Sequence, residues 1–376
     1  MMSLKVVEAE KGRALKDFIN LPWTLYRGDP YWVPPLKKDV SGLLSTKHPF
    51  YRSARRKIFV CYKSERPAGR IVGILNNTHN EFHNEKTGFF GFFESIPDQE
   101  VASALFAEAE SYLIKNGMEI SRGPVNPNMN EECGLLVDNF VSPPFIMMTY
   151  NPPYYSDLIE GVGYGKAKDL FAYYFTVGQR LPDRLARLAK KIEQREKGLT
   201  VRCLDMKKFD HDLELVKTIY NEAWEKNWGF FPMTDVEINY MAKNLKPIVD
   251  PERVAFAFID GEPAGFLMAL PDYNQVLRIL NGRLITLRLI RALKAAKEIT
   301  TSRVVILGTR EKFRKRGIES VLLALLWQKG IDRGDKYGEL SWTLEDNTLI
   351  NETAVKIAGA THYKTYRIYD RELRNS

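Results

Sequence analysis

The stretch from Arg303 to Trp327, RVVILGTREKFRKRGIESVLLALLW, is where residue types and spacing offer chemistry. An apolar strand (Val304 to Gly308) leads into four cations (Lys312, Arg314, Lys315, Arg316) and a single glycine, Gly317. A helix follows, with Ile318, Val321, Leu322, Leu325 and Leu326 on its apolar face. A strand that delivers a helix N-terminus behind a basic, glycine-containing turn is an anion-binding arrangement. The first-turn N–H groups lack intrahelical acceptors, and the helix dipole adds positive potential. The common nucleotide loops do not account for it, because neither G-x-x-x-x-G-K-[ST] nor G-x-G-x-x-G occurs. Glu319, in the first helical turn, suits the dipole but would repel a phosphate on the same amides, so a basic loop before an ordinary core helix is the alternative. Other chemistry is thinner. His79 and His83 stand four apart without a third ligand, no G-x-S-x-G is present, and Cys133 in NEECGLL reads as a buried thiol. No metal site is expected.

The 376 residues are 44% hydrophobic and 27% charged, the balance of a folded chain long enough for two domains. A net charge of +8 suits an anionic ligand, nucleic acid or a membrane surface without choosing among them. Cys61, Cys133 and Cys203 lie far apart with no C-x-x-C, against a disulfide framework or a zinc site. No signal-peptide pattern opens the chain, and the longest apolar run, Val321 to Trp327, is too short to span a bilayer. A cytoplasmic protein without a membrane span is expected.

The elements that must position the loop occur twice. IFVCYKSERPAGRIVGIL within Lys57 to Asn76 alternates like a hairpin, and so does VAFAFIDGEPAGFLMAL, Val254 to Leu270. Their Pro-Ala-Gly segments end at Gly69 and Gly265, 196 positions apart, and Gly163 and Gly359 repeat that offset before aromatic closing strands. A duplication follows. The first copy has a strand, Gly88 to Glu94, and a helix starting near Asp98, but only Ser95-Ile96-Pro97 between them and no basic glycine loop. Its distinctive segment, Gly123 to Tyr155, holds Asn126, Asn128, Asn130, Glu131 and Glu132, which contact a substrate or cap turns. Near the N-terminus, Lys11 to Asn20 reads as a short helix, and the prolines of Leu21 to Leu36 argue against its continuation. Leu181 to Leu199 reads as a charged linker helix, and Leu277 to Lys297 as one long basic amphipathic helix whose polar face is solvated, contact with an anionic partner or lipid surface being the alternative. The expected organisation is 1–180, a linker helix at 181–198, and 199–376.

Phe313 to Leu322, FRKRGIESVL, resembles the acyl-CoA pyrophosphate loop of the GNAT acyltransferases, [RQ]-x-x-G-x-[GA] after the fourth strand. Arg314, Gly317, Ile318 and Leu322-Leu323 match; Lys315 stands where many members have glycine, and Glu319 stands at the [GA] position. Element order across Thr200 to about Leu373 resembles one GNAT domain, and the first half a degenerate copy. The resemblance implies an α/β (α+β) protein of two GNAT-like domains, each a mixed, mostly antiparallel sheet flanked by helices. It implies acetyl-CoA or a longer acyl-CoA as co-substrate and a small-molecule or peptide amine as acceptor. Arg314, Lys315, Arg316, Gly317, Ile318 and Ser320 would hold the pyrophosphate. Leu307, Gly308 and Thr309 would pair with pantetheine where the fifth strand splays away, with Asn347 nearby. Glu345, ending ELSWTLEDN, would be the base that takes the ammonium proton, unless it serves the helix terminus that Asp346-Asn347 suggests. The family's thiolate-protonating tyrosine is missing from NETAVKIAGA, leaving Tyr363 and Tyr366 as substitutes. Trp224, Trp228, Phe230 and Phe231 would line the acceptor pocket, together with the Asn126 to Glu132 segment, or else belong to the core. Two other readings stand beside this one: a Fem-type aminoacyltransferase using aminoacyl-tRNA, and a non-catalytic acyl-CoA-binding module.

Overall fold

The two Pro-Ala-Gly segments build the same hairpin. Arg66–Asn76 pairs antiparallel with Ala54–Lys63, with Gly69 opposite Cys61 immediately before a register shift. Glu262–Pro271 pairs with Val254–Ile259, with Gly265 opposite Ala257 immediately before the same shift. The duplication read from spacing is therefore present down to a shared β-bulge.

The computed structural model describes residues 3–373. In chain order, the first copy is β1 (Leu4–Glu8), α1 (Gly12–Leu25), α2 (Lys37–Leu43), β2 (Ala54–Lys63), β3 (Arg66–Asn76), α3 (Asn77–His83), β4 (Thr87–Ser95), α4 (Gln99–Lys115) and β5 (Ile120–Gly123). It closes through three two-residue strands, β6 (Val125–Asn126), β7 (Glu132–Cys133) and β8 (Leu135–Leu136), then α5 (Tyr155–Gly161) and β9 (Gly165–Thr176). The second copy is α6 (Asp183–Arg195), β10 (Leu199–Cys203), α7 (Phe209–Trp224), α8 (Asp235–Leu245), β11 (Val254–Ile259), β12 (Glu262–Pro271), α9 (Asn274–Leu280) and α10 (Thr286–Ala296). It ends with β13 (Thr301–Thr309), α11 (Ile318–Arg333), β14 (Tyr337–Leu344), α12 (Thr348–Glu352) and β15 (Thr361–Glu372).

By residue contacts the chain forms two units, neither of them a single stretch. Unit 1 takes the chain up to Leu170, Val276–Ala292 and the residues from Lys364 onward; unit 2 takes Phe171–Gln275 and Leu293–Tyr363. Thus the later part of β9 is counted with unit 2, and most of β15 with unit 1. Both units carry the same strand order, four antiparallel strands and a fifth parallel to the fourth: β1-β2-β3-β4-β5 in unit 1 and β10-β11-β12-β13-β14 in unit 2. In unit 1, β15 adds antiparallel to β5, with Tyr369 opposite Gly123.

Alternation along the strands divides the cores. In unit 2, Ala255, Ala257 and Leu267 meet Ile318, Leu322 and Leu326 of α11, while Phe256 and Phe266 meet Leu215 and Ile219 of α7 on the other face. In unit 1, Val101, Leu105 and Phe106 of α4 pack with Ala68, Ile71 and Phe90, joined by Tyr369. Small residues in the β11 positions under α11 let that helix approach the sheet. Two sequence expectations are corrected. The first helix continues through Pro22 to Leu25, with Pro22 buried. The helix expected over Leu277–Lys297 is two, broken where Asn281 and Gly282 both take positive φ.

Unit 1 closes its own fork. The parallel β4–β5 ladder ends at Phe89↔Arg122, and the chain then returns through Gly123, Pro124 and Val125 against β4. A Cβ on Gly91 would lie 1.6 Å from the Val125 carbonyl oxygen, and one on Gly123 would lie 2.2 Å from the Phe90 oxygen. Phe92, at positive φ, donates its N–H to Asn126 Oδ1 at 2.6 Å. Asn128 Oδ1 accepts the Asn130 N–H at 2.8 Å, so these asparagines shape the turn. The helix after β4 is capped by its own side chain: Asp98 Oδ1 accepts from Glu100 N at 2.9 Å and Val101 N at 3.4 Å. Gly91→Ala is expected to cost about 3 kcal/mol of unfolding free energy in a urea titration, because neither backbone can yield without breaking the plug. An unchanged midpoint would show that Val125 is not packed on β4.

Candidate functional site

The turn after β13 is built by ion pairs at its root and left-handed residues at its crown. Arg310 donates to Glu222 at 2.7 Å, to Glu262 at 2.9 Å and to the Pro263 carbonyl at 3.0 Å, and Lys312 also pairs with Glu262. Phe313 inserts into the core. Lys315 then takes φ +63° and Gly317 φ +83°, leaving Gly317 as the N-cap of α11 with no side chain capping the first turn. A left-handed lysine is a strained, uncommon conformation of the kind found at ligand clamps. At Gly317 a Cβ would also meet Ile192 Cδ1 of α6 at 2.5 Å, so the left-handed backbone and this side chain both favour glycine.

The cations expected to share one anion are divided. Arg314 Nη2 donates to the Ala223 carbonyl at 2.9 Å. Arg316 is taken by Glu196, whose carboxyl this hydrogen bond holds below its usual range, and Arg195 donates to the Arg316 carbonyl at 2.5 Å. Only Lys315 of the three lines the cavity described next. Arg314 and Arg316 thus brace the turn rather than face it.

β13 and β14 stay in parallel register for four residues, from Thr301↔Tyr337 to Val304↔Leu340, and the ladder then stops. On its other side, β13 keeps pairing with β12 through Leu307, Gly308 and Thr309, past a bulge at Met268/Ala269. A cavity of about 200 Å³ opens at the fork. It is lined by Lys315, Gly317, Glu319 and Ser320 of the turn and first helical residues, by the apolar Val304, Leu307, Leu340, Leu323 and Trp327, and by Ala354, Ala358 and Ala360. A water needs roughly 10–15 Å³ of such space, so this is room for a chain of atoms rather than a trapped solvent molecule. Phe175 stacks on Trp327 at 4.7 Å and crosses Gly338, where a Cβ would lie 2.3 Å from its ring. The arrangement is a mostly apolar slot at the β13–β14 fork, with one cation, Lys315, and one carboxylate, Glu319, among its lining residues beside the start of α11.

On the opposite face, Trp224 lies across Gly308: a Cβ there would meet Trp224 Cη2 at 2.2 Å. Two residues assigned to different roles, acceptor and cofactor, are therefore in contact. Phe230 and Phe231 are buried and Trp228 is half-buried. Beneath α7 and α8 an apolar cavity of about 90 Å³ is lined by Val216, Tyr220, Met233, Met241, Ala242, Phe266 and Ile306.

The remaining sequence candidates are scattered. Glu345 is half-buried in the turn after β14, its carbonyl accepting from Asn351 Nδ2 at 3.3 Å, and does not line the fork cavity. Asn347 caps α12, accepting the Ile350 N–H at 3.3 Å. Tyr363 donates to Glu339, which is fully buried with Ser341 and Arg303; Arg303 donates to the Ser341 hydroxyl at 2.8 Å. Tyr366 is fully buried and is counted with unit 1, opposite Leu136. Asn126, Asn128, Asn130 and Glu131 lie in unit 1. The His79 and His83 rings lie 4.4 Å apart and tilted by 42°, burial pushes His79 down to about 4, and among the described residues no group of three metal-binding side chains occurs. Sequence reasoning missed Phe175, Trp327, Leu340 and the three alanines. Only the small-residue spacing Ala354, Ala358, Ala360 offered a signal.

No family model matches the chain. Protein YghO of Escherichia coli K12 is 35% identical over 96% of this chain and 93% of its own length. The bacterial ceramide synthase of Caulobacter vibrioides is 34% identical over 98% of both chains. Among solved structures, a tandem GNAT protein from the clavulanic acid biosynthesis pathway covers 100% of both chains with a TM-score of 0.59 at 13% identity. A GCN5-related glucosamine N-acetyltransferase region of a fungal GH3 β-N-acetylglucosaminidase covers 99% of this chain, and 38% of its own, with a TM-score of 0.60. The duplicated sheets, the glycine-started helix at the fork and the identity to these relatives along nearly their whole length agree: the chain belongs to the family of the bacterial ceramide synthase and YghO, and it has the tandem GNAT fold.

Proposed function

We propose that this protein transfers an acyl group from a CoA thioester to the amine of a long-chain amino alcohol. The observation that carries the reading is the convergence, on one cavity of unit 2, of an uncapped helix N-terminus and the β13–β14 fork. The pyrophosphate is assigned to the Lys315–Ser320 turn, with Lys315 supplying charge and the amides of Gly317 and Ile318 supplying donors, while the Ser320 N–H donates to the Gly317 carbonyl at 2.9 Å. Pantetheine is assigned to the β13 edge at Leu307, Gly308 and Thr309, and the acyl chain to the alanine-lined end. The amine nitrogen attacks the thioester carbonyl, a C–N bond forms, and the C–S bond breaks. Glu345, directly or through water, is assigned the amine's proton, and the departing thiolate takes a proton from solvent, since Tyr363 is bonded to Glu339 and Tyr366 is enclosed in unit 1.

The acceptor class rests on the 34% identity to a ceramide synthase, a ceramide being the amide of a fatty acid with a long-chain amino alcohol. The apolar cavity under α7 and α8 lies on the side where the acceptor wall was expected, and we assign it to acceptor hydrocarbon.

Long-chain acyl-CoA at a hundred times its dissociation constant is expected to stabilise the chain by about 2.7 kcal/mol, a midpoint rise of a few degrees in a thermal-shift assay. Gly317→Asp removes the rise, Glu319→Gln enlarges it, and tRNA gives none; the opposite pattern would support aminoacyl transfer instead. In a thiol-release assay with palmitoyl-CoA and sphinganine, Glu345→Gln is expected to lower kcat by roughly 10²–10⁴-fold with little change in KM. An unchanged kcat would remove Glu345 from the mechanism. Ala242→Phe, which fills the apolar cavity, should raise KM for long-chain acceptors far more than for short ones.

A further inference from the structure

The link between β12 and β13 differs from its counterpart in the first copy. There, β3 and β4 are joined by the seven-residue α3; here, the connection carries both α9 and α10. From Tyr273 to Lys297 it holds six cations (Arg278, Arg283, Arg288, Arg291, Lys294, Lys297) and no carboxylate. The added hairpin is held by its turn. Trp23 Nε1 donates to Asn281 Oδ1 at 2.9 Å, the Lys37 N–H donates to the Gly282 carbonyl at 3.1 Å, and Arg278 donates to the Pro30 carbonyl at 2.6 Å. Its leucines are not what holds it. Ala292 is the one buried residue of α10, whereas Leu287 is 77%, Ile290 62%, Leu293 60% and Leu284 60% exposed. At 100° per residue, Leu287, Ile290, Arg291, Leu293 and Lys294 share the face opposite Ala292.

We infer that this face docks on an anionic lipid bilayer surface. Water is a poor neighbour for so many large aliphatic side chains in one short helix, and a cluster of this kind marks an interaction site. The cations among them choose the partner. A second copy of the chain meeting this face about a two-fold axis would bring Arg291 and Lys294 against their own equivalents, a like-charge contact that costs affinity. An anionic headgroup layer satisfies both features: leucine and isoleucine enter the acyl boundary, while Arg and Lys extend their charged ends to phosphate. Docking leaves the fork cavity's residues untouched, since none of Leu284 to Lys297 lines it. The inference therefore stands apart from the catalytic reading and is tested without substrate.

The full-length chain would be sedimented with vesicles of phosphatidylcholine alone and with vesicles of phosphatidylcholine mixed with phosphatidylglycerol. Binding is expected only to the mixed vesicles, falling as salt is raised. The exposed-site pair Leu287→Asp/Ile290→Asp should weaken partitioning by about tenfold or more, and Arg291→Gln/Lys294→Gln by roughly tenfold, with unchanged far-ultraviolet circular dichroism. Equal binding to both vesicle types, or partitioning untouched by both pairs, overturns the proposal. So does light scattering that finds a wild-type dimer split by Leu287→Asp, which would assign the face to a second copy.

Discussion

Parallel strands β13 and β14 share hydrogen-bond register for four residues and then part beside the bulge in the β12–β13 pairing. A bulge increases local twist, which carries the far end of β13 away from its parallel neighbour. That parting creates an open backbone edge inside a folded sheet, a costly feature unless something covers it. In unit 1 the same topology parts after Phe89↔Arg122, and the chain's own Gly123–Asn126 segment fills the space so closely that glycine is needed at positions 91 and 123. In unit 2 the space is a cavity bounded by alanines and a stacked Phe175–Trp327 pair. One duplicated fold has thus met one structural problem in two ways, with its own chain in one unit and with an open cavity in the other.

The helices after the fourth strands diverge in step. Asp98 places a carboxylate over the first turn of α4, whereas Gly317 leaves that of α11 uncapped. Registers within each sheet match Glu94 of β4 to Gly308 of β13, through Arg70↔Glu94 and Phe266↔Gly308. Gly308 admits the Trp224 ring, while the partly buried Glu94 is pushed up by desolvation against the pull of Arg70, and accepts from Tyr26 at 2.8 Å and Tyr155 at 2.7 Å. Burial raises both tyrosine hydroxyls, so they stay donors. Where unit 2 lays a tryptophan ring on a glycine, unit 1 holds a polar cluster at the matching position.

Much of this was legible in the sequence because it is local. The hairpins, the 196-residue offset, the GNAT order of elements and the glycine turn all follow from short-range pattern, and the tandem GNAT fold agrees with them. What escaped depends on distant partners. Nothing near Arg314 or Arg316 announces Ala223 or Glu196, and nothing near Asn126 announces the bulged amide of Phe92, so the loop sequence alone does not show these partners. The break at Asn281-Gly282 was visible as a turn dipeptide but was overridden by the helical spacing of the flanking leucines.

Counting Lys364 onward with unit 1 and Phe171–Thr176 with unit 2 means that each core takes aromatic residues from the closing strand of the other copy: Tyr369 in one, Tyr173 and Phe175 in the other. Such a duplication cannot be undone by deletion. A gene fragment encoding either half alone would lack part of the core it must fold around, so the copy with the filled fork is retained by the architecture itself, whatever selection acts on its chemistry.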